Sequence, residues 1–232
     1  MLDLERQQEI LDILLQKKSV RVAELAKKLF VSQPTVRRDL ETLERAGALV
    51  RTHGGAVLCQ ASDKEIPLAL REEQNNLSKK IIAERAAAYL FDGAVIFLDA
   101  SSTVSYLVPH LERIKEAIVI TNSPKTSMRL GEAGVKNYCT GGLLLGHSVA
   151  YVGSDAERFV SGINADLFFF SSRGYVEGDV ITDSSFEEAS IRRAMMKQSK
   201  TSVYLADGSK RGGRYAYNIC TVRDVAAMID ER

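Results

Sequence analysis

Residues 97–107 read FLDASSTVSYL: an apolar stretch runs into Asp99, followed by three hydroxyl side chains, Ser101, Ser102 and Thr103, and then a helix-like segment. At a helix start, hydroxyls add donors to the unpaired backbone N–H groups and the positive end of the dipole, a setting that favours a small anion such as phosphate by ~0.3–1 kcal/mol when exposed. Serines there serve equally well as plain caps, and on this loop alone the two readings stand level. Asn122 lies in a second such junction, TNSP at 121–124. Gly141 and Gly142, in TGG at 140–142, offer backbone N–H groups without side-chain obstruction, and Lys210 supplies a mobile cation in LADGSKRGG at 205–213. Each patch is weak by itself, since Gly-Gly is ordinarily a turn and a lone lysine is ordinarily solvated. Jointly they can converge on one cleft.

A different chemistry sits near the N-terminus, in QPTVRRDLETLER at 33–45. At helical spacing Val36, Leu40 and Leu43 share one side, which leaves Pro34, Arg38, Glu41 and Arg45 opposite and Thr35 and Arg37 on the flanks. Ser32 or Gln33 can cap this helix, Pro34 is tolerated in its first turn, and Gly47 ends it. Gln33, Thr35, Arg37 and Arg38 therefore stand exposed at its start, where side chains reach base edges and phosphates if the helix enters a major groove. Two adjacent arginines can instead be a solvated face paired with Asp39, Glu41 or Glu44.

The context favours DNA. A helix marked by Val22, Leu25, Ala26 and Leu29 precedes a tight turn, Phe30-Val31-Ser32, and an earlier stripe of Leu4, Ile10, Leu11 and Leu14 completes three short helices. After them comes LVRTHGGAV, two apolar runs around His53-Gly54-Gly55. Gly-Gly permits the positive φ of a hairpin turn, so a two-stranded wing with Arg51 and His53 near its tip is expected.

Beyond residue 58 the pattern changes. Residues 58–76 mix polar residues with Pro67 and read as a linker with room for one short helix. From Leu77 onward, apolar runs at 94–98, 117–121, 135–139, 166–170, 201–206 and 225–229 alternate with helical stretches at 79–89, 103–111, 124–132, 155–160 and 186–198. Such alternation implies crossover units and a mostly parallel sheet covered on both faces. The expected architecture is α/β: a small α-helical winged helix-turn-helix domain at 1–57, the linker, and a larger, mostly parallel, doubly wound α/β domain at 77–232. In open sheets of this kind ligands bind where strands give way to helices, which is where the hydroxyl loop falls.

Composition sets the outer bounds. Of 232 residues, 45% are hydrophobic and 26% charged, as in ordinary folded proteins. Residues 1–57 hold ten Lys/Arg against eight Asp/Glu and the rest hold 21 against 22, too slight an asymmetry to argue for DNA without the local pattern. The acidic, amphipathic start MLDLERQQEI is not a signal peptide, and no apolar run approaches the ~18 residues that span a bilayer, so no membrane partner and a cytoplasmic location are expected. Cys59, Cys139 and Cys220 are odd in number and far apart, which suits reduced packing thiols. His53, His110 and His147 lack ligand spacing, and no metal or cofactor is implied.

The run VSQPTVRRDLETLERAGALVRTHGGAV, 31–57, resembles the helix-turn-helix signature of the DeoR family of bacterial transcriptional regulators, in which VS-x-x-T-[IV]-RRDL precedes an RTHGGA wing. Pro34 stands where that family more often has a small residue. The resemblance extends over roughly 78–230, through Leu98-Asp99-Ala100-Ser101-Ser102-Thr103, Thr121-Asn122, Gly141-Gly142, Glu188-Ala189 and Asp207-Gly208-Ser209-Lys210. It implies a sensor domain similar to ribose-5-phosphate isomerase. Ser101, Ser102 and Thr103 would then hold phosphate, Asp99 and Asn122 the polar groups of a sugar, and Lys210 the anionic end, with Glu188 and the glycines in the same cleft. Ser101 replaces the usual glycine of that loop. The chain stops at Asp230-Glu231-Arg232, earlier than the resemblance implies, which leaves a terminal strand in question.

The implied function is a repressor of a carbohydrate operon, a homo-oligomer, dimer or tetramer, bound to double-stranded operator DNA and controlled by a phosphorylated sugar. The competing reading is a sugar-phosphate isomerase with an accessory DNA domain. Past Asp166, DLFFFSSRGYVEG is apolar and then Ser-rich, without the acidic pair of the related isomerases, which ranks catalysis lower.

Overall fold

The structure is a computed structural model and describes residues 3–45, 49–58 and 68–232. The chain divides into two compact units, Met1–Glu73 and Gln74–Arg232.

In the first unit, α1 (Asp3–Lys17), β1 (Ser19–Arg21), α2 (Val22–Lys28) and α3 (Gln33–Arg45) precede a hairpin of β2 (Leu49–Thr52) and β3 (Gly55–Leu58), and α4 (Leu68–Glu73) closes the unit. The helical stripes read from sequence meet in one core, with Ile10, Leu14, Leu25 and Val36 fully buried and Leu40, Leu43 and Leu49 nearly so. The turn between α2 and α3 carries Phe30 in the left-handed region at φ 54, the residue 94% exposed. The expected end of α3 at Gly47, and most of the 58–76 linker, lie outside the described residues; the short helix expected there is α4.

The wing departs from expectation. It has three strands in the order β1-β3-β2, all antiparallel, because residues 19–21, not expected as a strand, pair with 55–57. Neither Gly54 nor Gly55 adopts a left-handed φ. Gly55 is required for a different reason: a Cβ there would lie 2.0 Å from the Val20 carbonyl oxygen of β1. Gly55→Ala should therefore lower stability by about 1–3 kcal/mol, as overpacking against backbone does. Urea unfolding followed through the first unit checks this, and a change under 0.5 kcal/mol would show that β1 can shift away.

The second unit comprises α5 (Asn76–Ala86), β4 (Val95–Leu98), α6 (Val108–Leu111), β5 (Ile118–Thr121), α7 (Pro124–Glu132), β6 (Asn137–Cys139), the hairpin β7 (Leu143–Leu145) and β8 (Ala150–Val152), α8 (Ser154–Ser161), β9 (Ala165–Phe170), β10 (Gly174–Tyr175), β11 (Val180–Asp183), α9 (Phe186–Lys197), β12 (Ser199–Leu205), β13 (Tyr217–Thr221) and β14 (Ala227–Ile229). Six strands form one wholly parallel sheet in the order β14-β12-β9-β4-β5-β6, the six read from sequence. The hairpin β7-β8 and the antiparallel sheet β10-β11-β13 had no counterpart in the sequence reading, being short strands without sustained alternation.

Period-2 alternation divides the sheet's side chains between two cores. Ile96, Leu98, Leu167, Phe169, Val203 and Leu205 face α5 and the segment 104–111. Phe97, Phe168, Phe170 and Tyr204 face α8, α9 and the small sheet. Phe168 and Phe170 stack at 4.9 Å between ring centres, with Phe97 edge-on to Phe168. Among the described residues no helix is long and apolar enough to cross a membrane.

Candidate functional site

The topology places the site. From β4 the sheet grows one way through β5 and β6 and the other way through β9, β12 and β14, so β4 and β9 flank the switch point where open parallel sheets form a crevice at their carboxyl edge. The loops after β4, β5, β6, β9 and β12 all leave from that edge. They carry Asp99 to Thr103, Asn122, Gly141 and Gly142, Ser171, and Asp207 to Lys210.

The convergence is direct at Thr103, whose Oγ1 lies 3.4 Å from the Lys210 Nζ; the same ammonium also hydrogen-bonds the Ser171 hydroxyl. Burial opposes ionisation of Asp207, but the Lys210 charge and the Ser209 hydrogen bonds outweigh it and hold the carboxyl below its usual range. Ser101, Ser102 and Thr103 are 5%, 5% and 0% exposed, and the Ser102 and Thr103 amides donate to no protein acceptor among the described residues. Ser101 Oγ caps the following turn by accepting from the Val104 amide at 3.2 Å, while Ser105 Oγ donates to the Ser102 carbonyl. The helix expected at 103–111 is a 3-10 turn, 104–107, followed by the single-turn α6. The dipole argument weakens accordingly, and the polar groups of this end are amides, hydroxyls and one ammonium.

Asp99 does a different job from the one expected. It is 1% exposed, and both its oxygens are committed: Oδ1 accepts from the Ser101 amide at 3.0 Å, Oδ2 from the Ser171 amide at 3.2 Å and from Arg192 Nε at 2.7 Å. Arg192, 3% exposed on α9, also donates to Asp183 Oδ2 at 2.8 Å and to Glu188 Oε2 at 3.0 Å. Burial alone would lower the guanidinium, yet Asp183, Asp99 and Glu188 overcome it and hold it well above its ordinary value. Asp183 in turn receives the Arg173, Ser184 and Ser185 amides. The expectation that Asp99 reads sugar hydroxyls gives way to an anchoring role, because a guanidinium and two amides take three of the carboxylate's roughly four acceptor sites and the residue is almost wholly buried.

Glu188 is likewise buried, with His147 Nε2 4.0 Å from its Oε1. The Asn122 side-chain amide donates to the Tyr151 carbonyl, which ties the end of β5 to β8. Gly142, at φ 109, is needed for packing, since a Cβ would stand 2.7 Å from the Val152 carbonyl oxygen; Gly141, at φ 65, has open space. Sequence reading missed Arg192, Asp183 and Ser171. One signal existed, the i,i+4 pair Glu188 and Arg192 on an expected helix. Cys139 and Cys220 are free and partly buried, and burial, with Asp224 beside it, pushes the Cys220 thiol up to about 12, well short of a reactive thiolate. Cys59 lies outside the described residues.

In the first unit, Ser32 is the cap: its Oγ accepts from the Thr35 amide at 3.3 Å and lies 2.8 Å from the Thr35 hydroxyl. Gln33, Arg37 and Arg38 are exposed and Thr35 half-buried. Asp39 does not neutralise those arginines. It is buried in a two-bond pair with Arg6, at 2.6 and 3.0 Å, which leaves the Arg37 and Arg38 side chains without an ion pair among the described residues. Arg51 is tied to α3, its amide donating to Glu44 Oε1 at 2.8 Å and its guanidinium 3.5 Å from Oε2. An open cleft of about 430 Å³ runs between α3 and the wing, lined by Arg37, Glu44, Arg51, Thr52 and His53. Arg45 ends α3, and of it only the backbone is described.

Two family models match the chain: a DeoR-like helix-turn-helix domain over residues 6–62 and a DeoR C-terminal sensor domain over 74–232. The uncharacterized HTH-type transcriptional regulator YulB of Bacillus subtilis is 38% identical over all of this chain and 90% of its own length. GolR of Listeria innocua, an HTH-type transcriptional regulator, is 32% identical over 100% and 91%. The transcriptional repressor GlcR of Bacillus subtilis is 32% identical over 98% and 88%. Among solved structures, eIF2B delta from Chaetomium thermophilum aligns over 87% of this chain and 64% of its own at TM-score 0.51 and 15% identity, a likeness of fold alone. Ribose 5-phosphate isomerase A from Methanocaldococcus jannaschii aligns over 60% of this chain and 55% of its own at TM-score 0.46 and 16% identity, too loose to carry a residue or an activity across.

Proposed function

The chain belongs to the DeoR family of transcriptional regulators, and from that premise we propose that it represses a carbohydrate operon under the control of a phosphorylated sugar held at the carboxyl edge of its parallel sheet. The observation that carries this reading is the meeting of Lys210, Thr103 and the two acceptor-less amides of Ser102 and Thr103. Hydroxyls, amides and one ammonium match a phosphate dianion. Lys210→Ala should weaken sugar-phosphate binding by roughly 1.5–3 kcal/mol, the range for a hydrogen bond to a charged group. A thermal-shift panel of sugar phosphates, with operator affinity followed by fluorescence anisotropy in parallel, tests it. If no sugar phosphate moves either melting or affinity, the reading falls.

Sensing is favoured over turnover because the candidate bases Asp99, Asp183 and Glu188 are all bound to Arg192. The economical coupling is that effector alters how protomers pair in a homo-oligomer, dimer or tetramer, and moves two recognition helices off the ~10-bp half-site spacing on operator DNA in the cytoplasm.

On the DNA side, Gln33, Thr35, Arg37 and Arg38 at the start of α3 read bases and phosphates, with Ser32 setting the helix start and Arg45, Arg51 and His53 on the backbone. Arg38→Ala should cost on the order of 1–3 kcal/mol of operator affinity if its contact to a base is bidentate. Arg51→Ala should instead weaken all sequences alike and reduce the salt slope by about one unit. Anisotropy titrations at several salt concentrations separate the two, and wild-type affinity in both variants would refute this groove placement.

A further inference from the structure

Two buried atoms beside the hairpin β7-β8 remain unexplained by a phosphate end. Asn122 Oδ1 and Ser148 Oγ belong to residues 2% and 1% exposed, and neither has a hydrogen-bond partner among the described residues. Native folds keep few such orphans, because a buried polar atom stripped of water and given nothing in return opposes folding. The two lie on adjoining elements. Asn122 exchanges backbone and side-chain hydrogen bonds with Tyr151, at 2.7 and 3.0 Å, and Ser148 is three residues earlier in the same hairpin. Next to Ser148, Val149 is held at φ 49, a left-handed conformation that β-branched residues avoid.

The hairpin loop is also joined to the anion loop through one chain of contacts. His147 approaches Glu188, Glu188 bonds Arg192, Arg192 bonds Asp99, and Asp99 holds the Ser101 amide. We infer that Ser148 joins Asn122, already expected at the sugar, to form the hydroxyl-reading end of the effector site, and that the β7-β8 loop selects among phosphorylated sugars. The inference rests on the reading that this unit takes a sugar phosphate. An amide oxygen lacking a donor and a hydroxyl lacking any partner together match a sugar hydroxyl, which both donates and accepts. Asp99, buried and held by Arg192 and two backbone amides, is replaced in that role. A site built to pair a hydroxyl discriminates strongly against the analogue that lacks it.

The test is a thermal-shift titration of the full chain with inorganic phosphate, ribose 5-phosphate, fructose 1-phosphate, glucose 6-phosphate and 2-deoxyglucose 6-phosphate. Ser148→Ala should keep wild-type affinity for inorganic phosphate, lose roughly tenfold for the sugar phosphate that wild type prefers, and compress the ranking across the panel. Its melting temperature without ligand should not fall, because the hydroxyl removed has no protein partner. Should it fall, Ser148→Cys, nearly isosteric and only a weak donor, carries the same expected loss of ranking. Unchanged affinities and ranking in these variants would mean that a buried water satisfies the orphans and would overturn the inference while leaving the sugar-phosphate reading intact. Indifference of the wild type to every sugar phosphate would overturn both.

Discussion

Arg192→Met should lower the unfolding free energy of the second unit by about 3–5 kcal/mol, the usual cost of breaking a buried ion pair from one side. The guanidinium holds Asp99, Asp183 and Glu188, each 1–3% exposed at the side chain, and methionine fills much of the volume while taking the guanidinium charge away from all three carboxylates. The loss should extend to ligand. Asp99 orients the Ser101 amide and Asp183 the Arg173, Ser184 and Ser185 amides, so the anion loop loses its anchor as well as its neighbour's. Arg192→Lys keeps the charge but not the fork geometry and should fall between wild type and Arg192→Met. Urea unfolding monitored in the second unit decides the matter; a loss under 1 kcal/mol for Arg192→Met would mean that the carboxylates are hydrated and Arg192 is not the hub of the network.

The second large effect lies in the DNA-binding unit. Asp39→Ala should cost about 3–5 kcal/mol there, because it removes the buried carboxylate that takes two hydrogen bonds from Arg6, whose side chain is 8% exposed, and so breaks a buried ion pair between α1 and α3 from one side. Operator binding should be lost with the fold of α3, and hydrogen exchange of the α3 amides should accelerate in step. Arg38→Ala provides the contrast: it sits one residue earlier, exposed, and should weaken operator binding without a measurable change in unfolding. If Asp39→Ala retained stable α3 amides while losing DNA, Asp39 would belong to the interface and its pairing with Arg6 would be incidental.

The periodic elements were legible before any coordinates. All six strands of the parallel sheet and the helices at 76–86, 124–132, 154–161 and 186–197 fall where apolar spacing puts them, within a few residues. The recognition-helix core of Val36, Leu40 and Leu43 does as well. Lys210 and Thr103 could be suspected of meeting because strand-to-helix loops of a parallel sheet emerge on one edge. The wing was half legible: its two glycines marked the turn, but the reason for Gly55 is a β1 strand too short to leave a periodic trace.

Local pattern therefore set the layers, the recognition helix and the edge at which a ligand would bind, since these follow from backbone period and from the shared direction of parallel strands. The role of Asp99 depended on the fold. A strand-end carboxylate can point toward a ligand or back into the protein with the same neighbours in sequence, and which it does depends on a guanidinium 93 residues away, on a helix packed against the face of the sheet that Phe97 also points to. The same holds for Asp39, whose partner is not the adjacent Arg38 but Arg6, 33 residues earlier. Charge pairing is settled by three-dimensional proximity and burial, which a one-dimensional pattern does not encode.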